Sequence, residues 1–312
     1  MFSDVYDIFD LNGQQTLRLF SPLLSIEDQG RLHCNIQIAN KTSLRTYQKA
    51  ALEVHVTDII TRLSEVVQAP HKFELGQGIV FENDANSLSD IAEDVQNRLH
   101  IQTPRTPSPV AQPSDSSDHK TGFDPKVTRT RADQYCIYKK ISGKRELLFV
   151  VEYKAPHKLS IANLLMGLRM MDLKKEVINR TDILNPIPED KTYKTFKSDQ
   201  ERTANDAAIT ARLQYNADKA VMAVATQTFH SMIENGLEYS YITTGEAFIF
   251  LRIEENDPTT LHYYVAVAND DVSEDDANFL YSQTAIGQVV SLCLRAFQLE
   301  WRDQRWRRDA KK

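Results

Sequence analysis

Apolar residues recur at positions 51, 52, 56, 59, 60, 63 and 67 of the stretch 46–67, the spacing of one buried stripe along a helix. Pro70 stops that helix. Residues 78–81 (GIVF) then predict a short strand, and Ser89 caps a second helix, SDIAEDVQNRL, with acids in its first turn. The opening forty residues carry only short mixed elements. Beyond residue 126 the period drops to two. QYCIYKK (134–140) and ELLFVVEYK (146–154) predict paired strands turned at Ser142-Gly143. Pro156 closes the second strand, and Ser160 opens a helix, SIANLLMGLRMMDLKKEVIN. After a polar, proline-containing connection over 181–199, a long helix is predicted at 205–235, stopped by Gly236. Strands are predicted at 238–244, 247–253 and 261–267, and a last helix runs from about Ser273 into a basic end. The order predicts an α/β domain with a mixed β-sheet flanked by helices.

Between the two halves lies TPRTPSPVAQPSDSSDHKTGFDP (103–125), whose Pro, Ser and Thr content without periodicity predicts a disordered insertion. Its Thr103, Thr106 and Ser108 each precede proline, which suits proline-directed phosphorylation; a plain solvated linker is the simpler account of them. The chain therefore divides into N-terminal elements with the first core helix and strand (1–102), the insertion (103–125), a core (126–300) and a basic tail holding Trp301 and Trp306 (301–312). With 41% apolar and 26% charged residues, the proportions are globular, which excludes a wholly disordered chain or a fibre. The longest apolar runs, such as 220–225, are far short of the ~20 residues that cross a bilayer. The start, MFSDVYDIFD, has acids where a signal peptide needs basic residues. The expectation is a soluble intracellular protein, cytoplasmic or nuclear, with no membrane contact.

Glycine narrows the chemistry. Only 10 of 312 residues are glycine, under half the ~7% average usage, and phosphate-cradling loops need glycine for close backbone approach. Gly76-Gln77-Gly78 begins such a loop, but Phe81 stands where its third glycine belongs; Gly143-Lys144 is followed by Arg145 instead of Ser or Thr. P-loop, Rossmann and kinase phosphate loops are all disfavoured. Cys34, Cys136 and Cys293 are scattered without a CxxC pair, which predicts buried thiols in a reducing compartment and no structural zinc. The net charge of −6 argues against bulk coating of nucleic acid. Locally, however, residues 118–146 carry eight Lys or Arg against four acids, and 301–312 carry six against two.

One constellation could do chemistry. Asp133 stands at the entry to the first predicted strand of the pair, and Glu152 and Lys154 lie at the end of the second. Period-two alternation puts Glu152 and Lys154 on one face and Tyr153 on the other. In a hairpin turned at Ser142-Gly143, Asp133 and Glu152 are about equally far from the turn and so adjacent. Two converging carboxylates suit a hard divalent cation, Mg²⁺ or Mn²⁺. A lysine beside them can orient water and offset charge on a phosphoryl group. Asp, then Glu-x-Lys, is machinery for metal-assisted phosphodiester hydrolysis, although a same-face ion pair explains Glu152 and Lys154 as well. Glu53 on the early helix is the candidate third carboxylate.

The stretch RADQYCIYKK…LLFVVEYKAPHKLS resembles the PD-(D/E)XK nuclease-like superfamily. Within it, ALEVHVTDII, GIVFENDANSLSDIAEDVQNRL, EYKAPHKL and TQTFHSMIENGLEYSYITTGEAF resemble a group of uncharacterised filamentous-fungal proteins in which such a domain often precedes a kinase-like region. The resemblance implies a restriction-endonuclease-like core with helical additions, and a site of Asp133, Glu152 and Lys154 with Glu53 as the helix acid. Asp133, Glu152 and Glu53 would be the metal ligands. It also implies an accessory Gln227, although Ser231 stands where an aromatic is usual, while His157, Lys158 and the helix start at Ser160 are placed to meet a phosphate. The partners implied are DNA or RNA, or a kinase-like domain; no kinase elements follow residue 312, so a nuclease-like part alone or a truncated relative is expected. A catalytically inactive module of the same fold, binding nucleic acid or protein, is the alternative.

Overall fold

The computed structural model describes residues 21–33, 36–65, 73, 75–83, 132–179, 199–271 and 283–311. The insertion at 103–125, the helix from Ser89, the start of the helix from Ser273 and Cys34 lie outside the described residues. Six strands form one sheet in chain order: β1 (Ile79–Glu82), β2 (Gln134–Lys139), β3 (Arg145–Tyr153), β4 (Tyr239–Thr243), β5 (Ala247–Glu254) and β6 (Asp257–Val267). Every neighbouring pair is antiparallel except β3 and β4, which run parallel. The helices are α1 (Leu23–His33), α2 (Lys41–Gln48), α3 (Val54–Glu65), α4 (Ile161–Gly167), α5 (Asp199–Asn235), α6 (Ala268–Asp271), α7 (Ala285–Ala296) and α8 (Gln304–Asp309). A π-helical turn, Lys49–Glu53, joins α2 to α3. The result is a mixed six-stranded sheet with flanking helices, an α/β fold.

Alternation along the strands sorts the core into two layers. On the first face Cys136, Phe149, Val151, Tyr153, Tyr241 and Phe248 pack against Leu44, Leu52, Val56 and Ile60 of the α2–α3 run and against Val289, Val290 and Cys293 of α7. On the second face Ile137, Leu147, Val150, Ile242 and Ile249 meet Val221, Met232 and Ile233 of α5, Leu164 of α4 and Trp306 of α8. Cys136 and Cys293 are free, buried thiols.

The β2–β3 pairing contains one irregularity that governs everything at its far end. Near the turn, where Gly143 takes φ +82°, Ile137 pairs with Leu147; past a bulge, Cys136 pairs with Phe149 and Gln134 with Val151. Leu148 is the extra residue, and it lies on the same face as Phe149. A one-residue slip exchanges the faces of everything beyond it. Continued one step past Gln134, the register sets Asp133 against Glu152. Without the bulge Asp133 would face Val151.

Several elements depart from the sequence reading. The early helix begins at Lys41, five residues before the expected start, because Asn40 accepts from the Ser43 backbone and Ser43 returns the bond as a capping box. The helix expected from Ser160 ends at Gly167; Ser160 caps it, and a separate π-helical turn follows at Lys174–Ile178. The helix expected at 205–235 is α5, longer at its start, and Gly236 closes it at φ +67°. The last strand is longer than expected, beginning at Asp257.

The basic tail is tied to the domain. Trp301 Nε1 donates to the Leu147 carbonyl at 2.8 Å, and Trp306 Nε1 to the Glu255 carbonyl at 2.9 Å. Arg302 pairs with Glu238 and Glu255, while Arg307 Nη1 caps the end of α5 by donating to the Glu234 carbonyl at 3.0 Å.

Close approach of α4 to α5 makes one glycine testable. A Cβ at Gly167 would lie 2.6 Å from the Ala217 carbonyl oxygen of α5. Gly167→Ala should therefore destabilise the fold by roughly 1–3 kcal/mol, read as a lowered denaturation midpoint. An unchanged midpoint would refute the contact.

Candidate functional site

The site forms where β3 and β4 end side by side, with Lys154 extending the pairing by donating its backbone N–H to the Thr243 carbonyl at 3.0 Å. Asp133 enters β2 from the same end. Its Oδ2 accepts the Tyr153 backbone N–H at 2.9 Å, which fixes the carboxylate against the last residue of β3. Glu152 is buried, 2% exposed, and its Oε1 accepts from three donors. Lys154 Nζ lies at 2.7 Å, Gln227 Nε2 of α5 at 3.0 Å and Lys41 Nζ at 3.0 Å. Gln227 also accepts from Lys154 Nζ at 3.2 Å, so the amide spans the Glu-x-Lys pair.

Lys41 is the residue that the sequence reading missed. As the first residue of α2 it reaches across the strand ends, and its ammonium sits 2.7 Å and 3.0 Å from the two Asp133 oxygens as well as on Glu152. One turn along the helix, Arg45 Nη2 donates to the Asp133 carbonyl at 3.1 Å, the i, i+4 spacing that puts both cations on one helix face. The only sequence signal was the capping pattern Asn40–Ser43, which extends the helix to Lys41. Nothing local pairs that lysine with carboxylates 92 and 111 residues away.

The charges are mutually dependent. Burial pushes the Glu152 carboxyl's pKa up and Asp133 adds to the rise, against the pull of Lys154 and Lys41. Burial pulls the Lys41 ammonium down, but its bonds and charge contacts with Asp133 and Glu152 outweigh this, so it is held above its ordinary range. Hydrogen bonds to charged groups are worth about 1.5–3 kcal/mol each.

Glu53 is not in this cluster. It projects onto the first face of the sheet, where the Tyr153 hydroxyl donates to its Oε1 and Gln134 Nε2 donates to its Oε2 at 3.2 Å. Tyr153 and Glu152 alternate on β3, so a carboxylate bonded to the Tyr153 hydroxyl stands on the opposite side from Glu152. Among the described residues no group of three or more His, Cys, Asp or Glu side chains is close enough to hold a metal ion. Asp133 and Glu152 thus stand as a pair. The pair fits a hard cation in donor type and convergence, since three of its oxygens lie within 3.0 Å of one point, the Lys41 nitrogen. His157 and Lys158 are exposed on the loop after Lys154, and neither side chain bonds the carboxylates among the described residues.

A family model for the Spore killer 2 N-terminal domain matches residues 18–305, which includes every residue of this site. The chain belongs to that family. Within the Spore killer 2 N-terminal domain family, it is 30% identical over 160 residues to the meiotic driver SPOK2 of Podospora anserina, a match covering 51% of this chain and 18% of that protein. The chain thus spans only a small part of that relative's length. No solved structure matches. Among the described residues no helix is long and apolar enough to cross a membrane.

Glu53 gives a pH prediction. Burial raises its folded pKa above the ordinary 4.5, against the bond from Tyr153. Its protonation therefore stabilises the fold fully below the unfolded value, and that contribution is lost as pH rises through the raised folded value. Glu53→Gln keeps an acceptor for Tyr153 and carries no charge. It should be at least as stable as the parent at pH 7, with less loss of stability as pH rises from about 4 to 7. A variant showing the parental pH slope would refute a buried, charge-penalised Glu53.

Proposed function

We propose that this chain is a nuclease-like domain with a PD-(D/E)XK, restriction-endonuclease-like core, hydrolysing phosphodiesters in DNA or RNA with Mg²⁺ or Mn²⁺. The observation carrying this reading is the convergence of Asp133 and Glu152 on a single cation position with Lys154 Nζ 2.7 Å from Glu152. Asp133 and Glu152 would hold the ion, which when bound supplies Lewis-acid polarisation of phosphoryl oxygens. Lys154, only 15% exposed, orients an attacking water through the one N–H not given to Glu152 or Gln227 and offsets charge developing on the phosphoryl group. Gln227 keeps Glu152 and Lys154 in one plane of contact from α5. Tyr153, through its backbone N–H, keeps Asp133 from turning away. Glu53 supports this frame from behind, by holding the Tyr153 ring and Gln134, and takes no part as a metal ligand. The exposed Lys158, with His157 beside it, is the next basic position along the chain for an incoming phosphate. In a meiotic driver of the spore-killer kind, such a domain would act on nucleic acid.

A second reading has its own observation. The Lys41 ammonium already bridges both carboxylates, which is what a catalytically inactive module of this fold would keep if it bound nucleic acid or protein, a kinase-like partner included.

A cleavage assay decides between them. The purified chain with Mg²⁺ or Mn²⁺ should cut at least one of single- or double-stranded DNA or RNA. Asp133→Ala and Lys154→Ala should each lower the rate by at least ~100-fold. Absence of cleavage across that panel would favour the inactive module, and cleavage surviving both substitutions would exclude this site as its source.

A further inference from the structure

The Lys41 contact can be more than a static salt bridge. Its ammonium is the common neighbour of three carboxylate oxygens at 2.7–3.0 Å, the place where a cation shared by Asp133 and Glu152 has to sit. A divalent ion binding that pair needs the same oxygens, at shorter range, and the ammonium and the ion cannot occupy one position. The side chain is nonetheless 41% exposed, whereas Glu152 is 3% exposed at its side chain. Lys41 has an open path to solvent and the carboxylate does not.

We propose that Lys41 is a resident, exchangeable cation: it fills the metal position of the Asp133–Glu152 pair in the metal-free protein and swings out when a divalent ion binds. This inference rests on the metal-site reading given above. The backbone around Lys41 is built for such exchange. The capping box of Asn40 and Ser43 fixes the first turn of α2, and Arg45 anchors that helix to the Asp133 carbonyl at 3.1 Å independently of Lys41. The helix therefore stays docked while a four-carbon stem changes rotamer, a motion available to a half-exposed side chain on a fast timescale. Without a cation, two adjacent ionised carboxylates, one of them buried, repel each other. A lysine that leaves only when a better cation arrives removes that cost in the empty state and makes occupancy by the ion a competition. The apparent metal affinity is lowered by the fraction of molecules in which Lys41 holds the site.

The test is metal binding, read without any cleavage. Binding of Mn²⁺ alone to the full chain, followed by loss of its free-ion EPR signal, should tighten roughly tenfold or more in Lys41→Met, about 1.4 kcal/mol at that ratio. Adding Asp133→Asn to that variant should abolish the gain. Equal or weaker Mn²⁺ binding in Lys41→Met would overturn the exchange. A second measurement needs no variant. Acetylation of Lys41 in the unmodified chain, quantified by mass spectrometry against the exposed Lys49, should rise when Mn²⁺ is added, and labelling unchanged at saturating Mn²⁺ would also overturn it. Failure of either protein to bind Mn²⁺ would remove the metal site and the exchange together. Tighter binding by Lys41→Met with no cleavage of any nucleic acid would uphold the exchange and sink only the nuclease reading.

Discussion

Two carboxylates brought together beside a buried strand end must be met by cations or lose a charge, and most of the local architecture follows from that requirement. Asp133 and Glu152 both touch one ammonium at 2.7–3.0 Å, so their oxygens lie within about 6 Å, where unit charges at an effective dielectric near 20 repel by on the order of 3 kcal/mol. Removing one partner of such a cluster is costly because the remaining charges stay desolvated. Lys41, Lys154 and the Gln227 amide come from α2, the end of β3 and α5, which are three separate elements on both sides of the sheet. The cluster thus fastens the helical layers to the strand ends. It also explains why α2 begins where it does: a start at Thr46 would leave Lys41 and Arg45 outside the helix and the carboxylates without their cation.

That arrangement depends in turn on one surplus residue. Leu148 shifts the β2–β3 register so that Asp133 opposes Glu152, whereas the register set at the Gly143 turn would have matched it with Val151 of the first-face core. The hairpin and the shared face of Glu152 and Lys154 were readable in the sequence, because alternation is a local property of an extended chain. The bulge was not, since Leu-Leu-Phe-Val-Val (147–151) is apolar throughout and marks no position as the one to be skipped. Counting residues back from the turn brought the right pair together only because Asp133 was taken as about level with Glu152 and not assigned a strict register.

Glu53 and Lys41 show the other limit of sequence reasoning, which is the orientation of a helix against a sheet. An amphipathic stripe identifies the buried side of the 46–67 helix, and Glu53 lies within it, 4% exposed. Its being buried was compatible with either sheet face. The structure puts the α2–α3 run over the face that carries Tyr153, so Glu53 meets the tyrosine hydroxyl and not the Asp133–Glu152 pair. Lys41 escapes that face only because it lies at the helix start, beyond the edge of the sheet. A search for a third acid on this helix therefore found the residue that supports β3 from behind, while the helix's real contribution to the carboxylates is a base.

The same distinction applies to the positive charge of the chain. Of the cations concentrated at 301–312, Arg302 is committed to Glu238 and Glu255, and Arg307 to the carbonyl end of α5. Trp301 and Trp306 spend their N–H groups on strand and turn carbonyls, so the tail closes the fold. With those residues engaged and few glycines available for a phosphate loop, any phosphate met at the carboxylate site has to be met by side chains near it. Lys154 is held by Glu152 and Gln227, and Lys41 by both carboxylates. On the nuclease reading, a divalent ion that displaces Lys41 does two things at once: it takes over neutralisation of the carboxylates, and it frees an ammonium beside the position where a phosphate would arrive.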